Sequence, residues 1–225
     1  MYKRITTNIV EEHFDHPMAA KIKAGIDKKS IANQKASRPT TEIFDRNVYR
    51  ENVTEYFEKY IRALFRLSDA IPGTDDQLID AFESTEADEL WRVKYFFHPF
   101  YQAELGSKMA NVLGHMVLSY TMIIHMIKVD FDDQIWVNSM NAGADGIAGT
   151  LSRYSHQLDF VQVRDMLRNF NSHVIQRARA IKTGNLAEKE SAEVSARNSL
   201  MFFKEKVVDA IIQQHPDRFL TSTTV

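Results

Sequence analysis

Apolar residues along this chain return every three to four positions and almost never hold a strict alternation, which predicts helices and no sheet. Tyr56, Phe57, Tyr60, Ile61, Leu64, Phe65 and Leu67 trace one such stripe, ended by Ile71-Pro72-Gly73. A short acidic helix and loop are expected around Leu78, Ile79 and Phe82. A further apolar run, Leu90 to Phe97, meets a break at His98-Pro99. Leu105 to Ile127 is the most hydrophobic stretch, with Met109, Val112, Leu113, Met116, Val117, Tyr120, Ile123 and Ile124 on most of its sides. It reads as a central buried helix. Asp130-Phe-Asp-Asp133 closes it, Ile135-Trp-Val137 opens a short element, and Asn141-Ala-Gly-Ala-Asp-Gly146 reads as a flexible turn. Beyond it a stripe runs through Val163, Met166, Leu167, Phe170, Val174, Ile175 and Ala178 to a loop at Lys182-Thr-Gly-Asn185. The last helix carries Leu200, Phe203, Val207, Val208 and Ile211 and ends at His215-Pro216. The expected fold is all-α, with about six to eight helices.

The segmentation places a single helical domain at residues 41–215. Residues 1–40 hold eight Lys or Arg against four Asp or Glu and read as a loosely ordered basic extension, with one short helix near Pro17–Ile26. Residues 216–225 read as a flexible tail. A chain of 225 residues with 44% hydrophobic residues can bury a substantial core. Its net charge of -2 gives no general attraction to nucleic acid or anionic membrane. The start lacks the apolar run of a secretory signal, and Met116–Ile127, interrupted by Ser119, Thr121 and His125, is too short to cross a bilayer. With no cysteine, disulfides, thiolate metal sites and thiol catalysis are excluded. The expected location is cytoplasmic.

Catalytic chemistry finds no foothold, and the expectation is a protein that is not an enzyme. There is no Gly-x-Ser-x-Gly elbow, no phosphate-binding glycine loop, no Glu-x-x-His pair for a di-iron bundle and no His-Glu-x-x-His. Seven acids between Asp75 and Glu89, with no Lys or Arg, lack the alternation and central glycine of a calcium loop. His115 and His125, ten residues apart on one helix, point roughly 80° apart and do not clasp one metal.

His156 differs by its company. A single imidazole can hold haem iron where apolar side chains exclude water. Here His156 is followed by the Phe160-Val161 pair and then by the Met166–Phe170 stripe. In this order the segment Leu151–Val174 resembles the proximal helix of the globin family and the helix after it, and Val194–Ile212 is similar to a terminal globin helix. The resemblance covers residues 50–215 loosely and 150–212 more closely. It implies a haem-binding, globin-like protein with His156 as proximal iron ligand and Val161, Met166 and Phe170 as the wall. Phe97 or Phe100 would press on the macrocycle, and His125, Leu113 and Val117 compete for the distal position. The implied role is binding or sensing of oxygen or another diatomic gas, or electron transfer.

A second reading is a haem-free helical adaptor. It recruits protein partners through the basic extension, the acidic 75–89 segment or the ending Thr223-Thr224-Val225, a form that PDZ domains capture by strand addition.

Overall fold

The computed structural model describes residues 42–88, 92–101 and 103–220. The basic extension and the Thr223-Thr224-Val225 ending lie outside the described residues. Seven α-helices make up the described chain: α1 (Arg46–Asp69), α2 (Asp75–Asp88), α3 (Val93–Phe97), α4 (Ala103–Lys128), α5 (Gln134–Tyr154), α6 (Phe160–Thr183) and α7 (Leu186–Gln214). A 3-10 turn, Pro216–Arg218, follows. Among the described residues there is no strand, only an isolated parallel bridge between Phe44 and Phe219. The chain is all-α.

Each long helix begins and ends where local chemistry allows. The Asp45 carboxylate accepts from the amides of Asn47 and Val48 at 2.8 and 3.1 Å, and Asp159 accepts from Gln162 at 2.8 Å, which caps α1 and α6. Thr74 and Gln77 exchange side-chain and backbone bonds ahead of α2 in a capping-box arrangement. Between α6 and α7 the chain turns in two residues. Gly184 at φ 71° terminates α6 with its amide on Ala180 and Ile181, and Asn185 caps α7 by accepting from Glu188.

The central helix is α4, which packs on α1, α2, α3, α5 and α6. Met116 to His125 are ten consecutive buried residues, so the middle of α4 has no solvent face. Several of its buried polar side chains bond within the fold. Thr121 donates to the Val117 carbonyl at 2.9 Å, and the Tyr120 hydroxyl donates to the Val174 carbonyl of α6 at 2.9 Å. Helix α4 is longer than the Met116–Ile127 run, and Glu104–Lys128 is long and apolar enough to cross a membrane by length and composition alone. Within the fold 72% of its apolar window is buried, as in the core helix of a helical domain.

Two boundaries differ from those read along the chain. Asn141–Gly146, expected as a flexible turn, lies inside the continuous helix α5. Its small residues serve packing, because a Cβ on Gly143 would overlap Met116 Cγ of α4. The core also extends past His215. Phe219 is buried, and Phe44 and Leu220 exchange backbone bonds with this segment, Phe44 N to Arg218 O and Leu220 N to Phe44 O, both 2.9 Å. The segment expected as a tail from residue 216 is therefore packed as far as Phe219.

The largest fully buried side chain is an arginine, at the end of the bundle where α1 stops and α7 starts. Arg177 sits over the Phe65 ring at 4.5 Å. Its Nε donates to Glu193 at 2.8 Å and Nη2 to Asp69 at 2.7 Å; Nη1 donates to the Phe65 carbonyl at 3.1 Å and to the Ser68 hydroxyl. Burying a guanidinium is costly unless its donors are paired, and this one ties α1, α6 and α7 together.

Candidate functional site

His156 falls between helices rather than at the head of one. Helix α5 ends at Tyr154, with Ser155 in an extended conformation, and the Asp159 cap starts α6 only at Phe160. The five-residue corner is anchored by buried Ser155 and Leu158, while His156 and Gln157 point to water.

The residues expected around a haem are spread over the molecule. Val161, meant to be part of the apolar wall, is 48% exposed on the first turn of α6. Met166 and Phe170 are buried further along that helix, where the Phe170 ring lies 6.3 Å from that of Tyr60. Leu113 and Val117 are buried in α4. Phe97 is buried in α3. Phe100 joins a different cluster, stacked on Phe219 at 5.2 Å and in edge contact with Tyr49 at 5.3 Å.

His125 lies at the far end of the bundle from His156. The register of α4 and α5 shows why. Ser119 meets Ser139, with the hydroxyls 2.9 Å apart, and Gly143 meets Met116 and Val112. The helices are antiparallel, so the corner after Tyr154 lies level with the start of α4. His125 is twenty-two residues further along, roughly 33 Å by helical rise. There its Nδ1 stands 3.6 Å from Asp75 Oδ1, beside the Lys128–Asp75 ion pair of 3.0 Å. That lysine, helped by His125, holds the Asp75 carboxyl below its usual value.

Helices α4 and α5 are in direct contact along their shared face. A flat ring system between two helices requires about 7 Å of separation, one carbon contact distance of ~3.5 Å on each face. Along α4 and α5 the side chains meet directly at Met116–Gly143 and Ser119–Ser139. Among the described residues no group of three His, Asp or Glu is placed to hold a metal ion. The surface carries grooves elsewhere. One, of about 430 Å³, runs between α5 and α6 past Asn141, Arg168, Ser172 and Arg179; another, of about 200 Å³, lies between the end of α1 and the α6–α7 turn. Neither includes His156. The candidate residues are not gathered in one place: His156 is on the surface, Val161 is exposed while Met166 and Phe170 are buried, and α4 and α5 are in direct contact at Met116–Gly143.

Sequence reasoning passed over two features. Arg177 interrupts the apolar α6 stripe between Ile175 and Ala178, and a charge inside a core stripe is the signal that would have found it. The second is the aromatic cluster at the chain ends, where Phe44, Tyr49, Phe100, Tyr101, His215 and Phe219 converge. Its members are too far apart in sequence for any periodicity to link them. Comparison of the chain with protein families, curated proteins and solved structures gave no match.

Proposed function

We propose that this chain is a haem-free helical interaction domain that works through contacts with other proteins. The observation that carries this reading is the α4–α5 seam, closed at Met116–Gly143, with His156 on the surface outside it. An interior filled by its own side chains leaves recognition to the surface. The surface best suited to it is α2, which carries no Lys or Arg from Asp75 to Asp88. Asp76, Asp80 and Glu83 are exposed, and their four- and three-residue spacing puts them on one face. A carboxylate row with no internal countercharge favours a basic partner surface and speeds its approach at low salt.

The test is enrichment of partners on the immobilised full chain from extract of the cells that make it, against a D76K/D80K/E83K variant. A protein retained by the parent, lost by the variant and released by salt is the expected result. The same proteins retained equally by both would overturn α2 as the docking face.

A further inference from the structure

The two ends of the described chain are closed by one short segment. After α7 the chain passes through His215 and the Pro216–Arg218 turn, and Phe219 drops onto Phe100 with rings 5.2 Å apart and nearly parallel at 11°. The same segment captures the residues ahead of α1: Phe44 donates its amide to Arg218, Leu220 donates to Phe44, and the Arg218 guanidinium donates to the Glu42 carbonyl at 3.1 Å. His215 is the hinge of this arrangement. Its ring lies edge-on to Tyr101 at 5.0 Å and tilted against Phe100 at 5.5 Å, and its Nε2 is buried with no hydrogen-bond partner.

We propose that His215–Leu220 is an acid-released strap, closed while His215 is neutral and opened when that ring takes up a proton. A neutral imidazole packs between two rings as an aromatic. An imidazolium places an N–H bond of a charged group where no acceptor stands, and that is costly in a buried position. The groups that face the ring do not remove this cost. Tyr101 presents a phenol pushed up to about 12 by burial, neutral wherever an imidazole titrates. Tyr154 of α5 packs on the far side of Tyr101 at 5.8 Å, and the Tyr49 phenol of α1 is raised by burial as well. Within the strap itself Asp217 favours the charged form and Arg218 opposes it.

Burial first, and then Arg218, hold His215 below the ordinary imidazole value of 6.5. The open strap thus gains its proton at a higher pH than the closed one. Closure is complete above about 6.5 and weakens as pH falls toward the lowered value.

The experiment is amide hydrogen exchange on the full chain at about pH 7.4 and about pH 5.5, with rates expressed as protection against the intrinsic rate at each pH. Protection of the Phe44 and Leu220 amides is expected to fall about threefold or more at the lower pH, while α4 amides stay unchanged. His215→Phe, which keeps the ring and removes the titration, should hold its protection equal at both values. If that variant does not close at neutral pH, His215→Gln is read by the same criterion. No fall in the parent, or an equal fall in the variant, would overturn the proposal.

Discussion

The α4–α5 seam and the α5–α6 corner are neighbours in sequence, and they treat their residues in opposite ways. In the seam Gly143, Ala144, Ile147 and Ala148 are buried, and small side chains bring two helices into direct contact. At the corner, eight residues on, His156 and Gln157 face water and only Ser155 and Leu158 turn inward. The apolar stripe after His156 exists, but its helix packs on α1, α4, α5 and α7 and His156 lies outside that packing. What separates the two regions is the placement of helix ends. Asp159 caps α6 at its own position, so the five residues before it form a connection whose polar members have no reason to be inside.

The largest effect expected on this interior comes from stranding the buried Arg177 guanidinium. Asp69→Asn with Glu193→Gln leaves the buried Arg177 guanidinium with neutral acceptors and no paired carboxylate, and should cost about 3–5 kcal/mol in urea unfolding. Arg177→Met should cost less, because Asp69 and Glu193 keep 53% and 32% side-chain exposure and can be hydrated. A double variant milder than Arg177→Met would refute this account of the cluster.

Two glycines come next. A Cβ on Gly106 would stand 2.8 Å from the Lys94 Cα and carbonyl oxygen, and backbone cannot swing away. Gly106→Ala should therefore cost about 1–3 kcal/mol as α3 and α4 are pushed apart. Gly143→Ala meets the side chain of Met116, with Val112 in ordinary contact at 3.7 Å, and a side chain can repack where backbone cannot, so it should cost less than Gly106→Ala. If thermal unfolding ranks the two in reverse order, the seam is tighter than the α3–α4 crossing and Met116 is not free to move.

Much of this was legible in the chain. Periodicity of 3.6 marked the buried middle of α4 and the stripes of α1, α6 and α7, because burial on one face leaves that imprint whatever the partner. The break at His98-Pro99 was also readable, and the Gly184-Asn185 turn falls inside the expected loop Lys182–Asn185, whose first two residues belong to α6. Asn141–Gly146 was not. Asn, Gly and Asp are common in turns, yet a glycine also lets two helices approach, and only the presence of Met116 opposite distinguishes the two uses. The position of His156 was decided by Asp159 followed three residues later by Gln162, a cap signal masked by the apolar run around it. The closure of the chain ends depends on contacts between residues more than a hundred positions apart, which no local pattern records.

Smaller effects belong to single polar atoms. The Tyr60 hydroxyl is buried without a partner beside Phe170, so Tyr60→Phe should be neutral or stabilise by up to about 1 kcal/mol. A clear loss in Tyr60→Phe would mean the hydroxyl is bonded. His156→Ala, on the exposed corner, should change stability by no more than about 0.5 kcal/mol. A larger loss would place the ring inside the fold.

The haem-free reading proposed above rests on the direct α4–α5 contact at Met116–Gly143, and absorption spectroscopy with hemin tests it directly. The full chain, purified from cells supplied with haem precursor and then titrated with hemin, should show no stoichiometric Soret band, and its spectrum should match that of His156→Ala. A saturating one-to-one band in the parent, lost or shifted in His156→Ala, would contradict the closed seam and return His156 to the role of iron ligand.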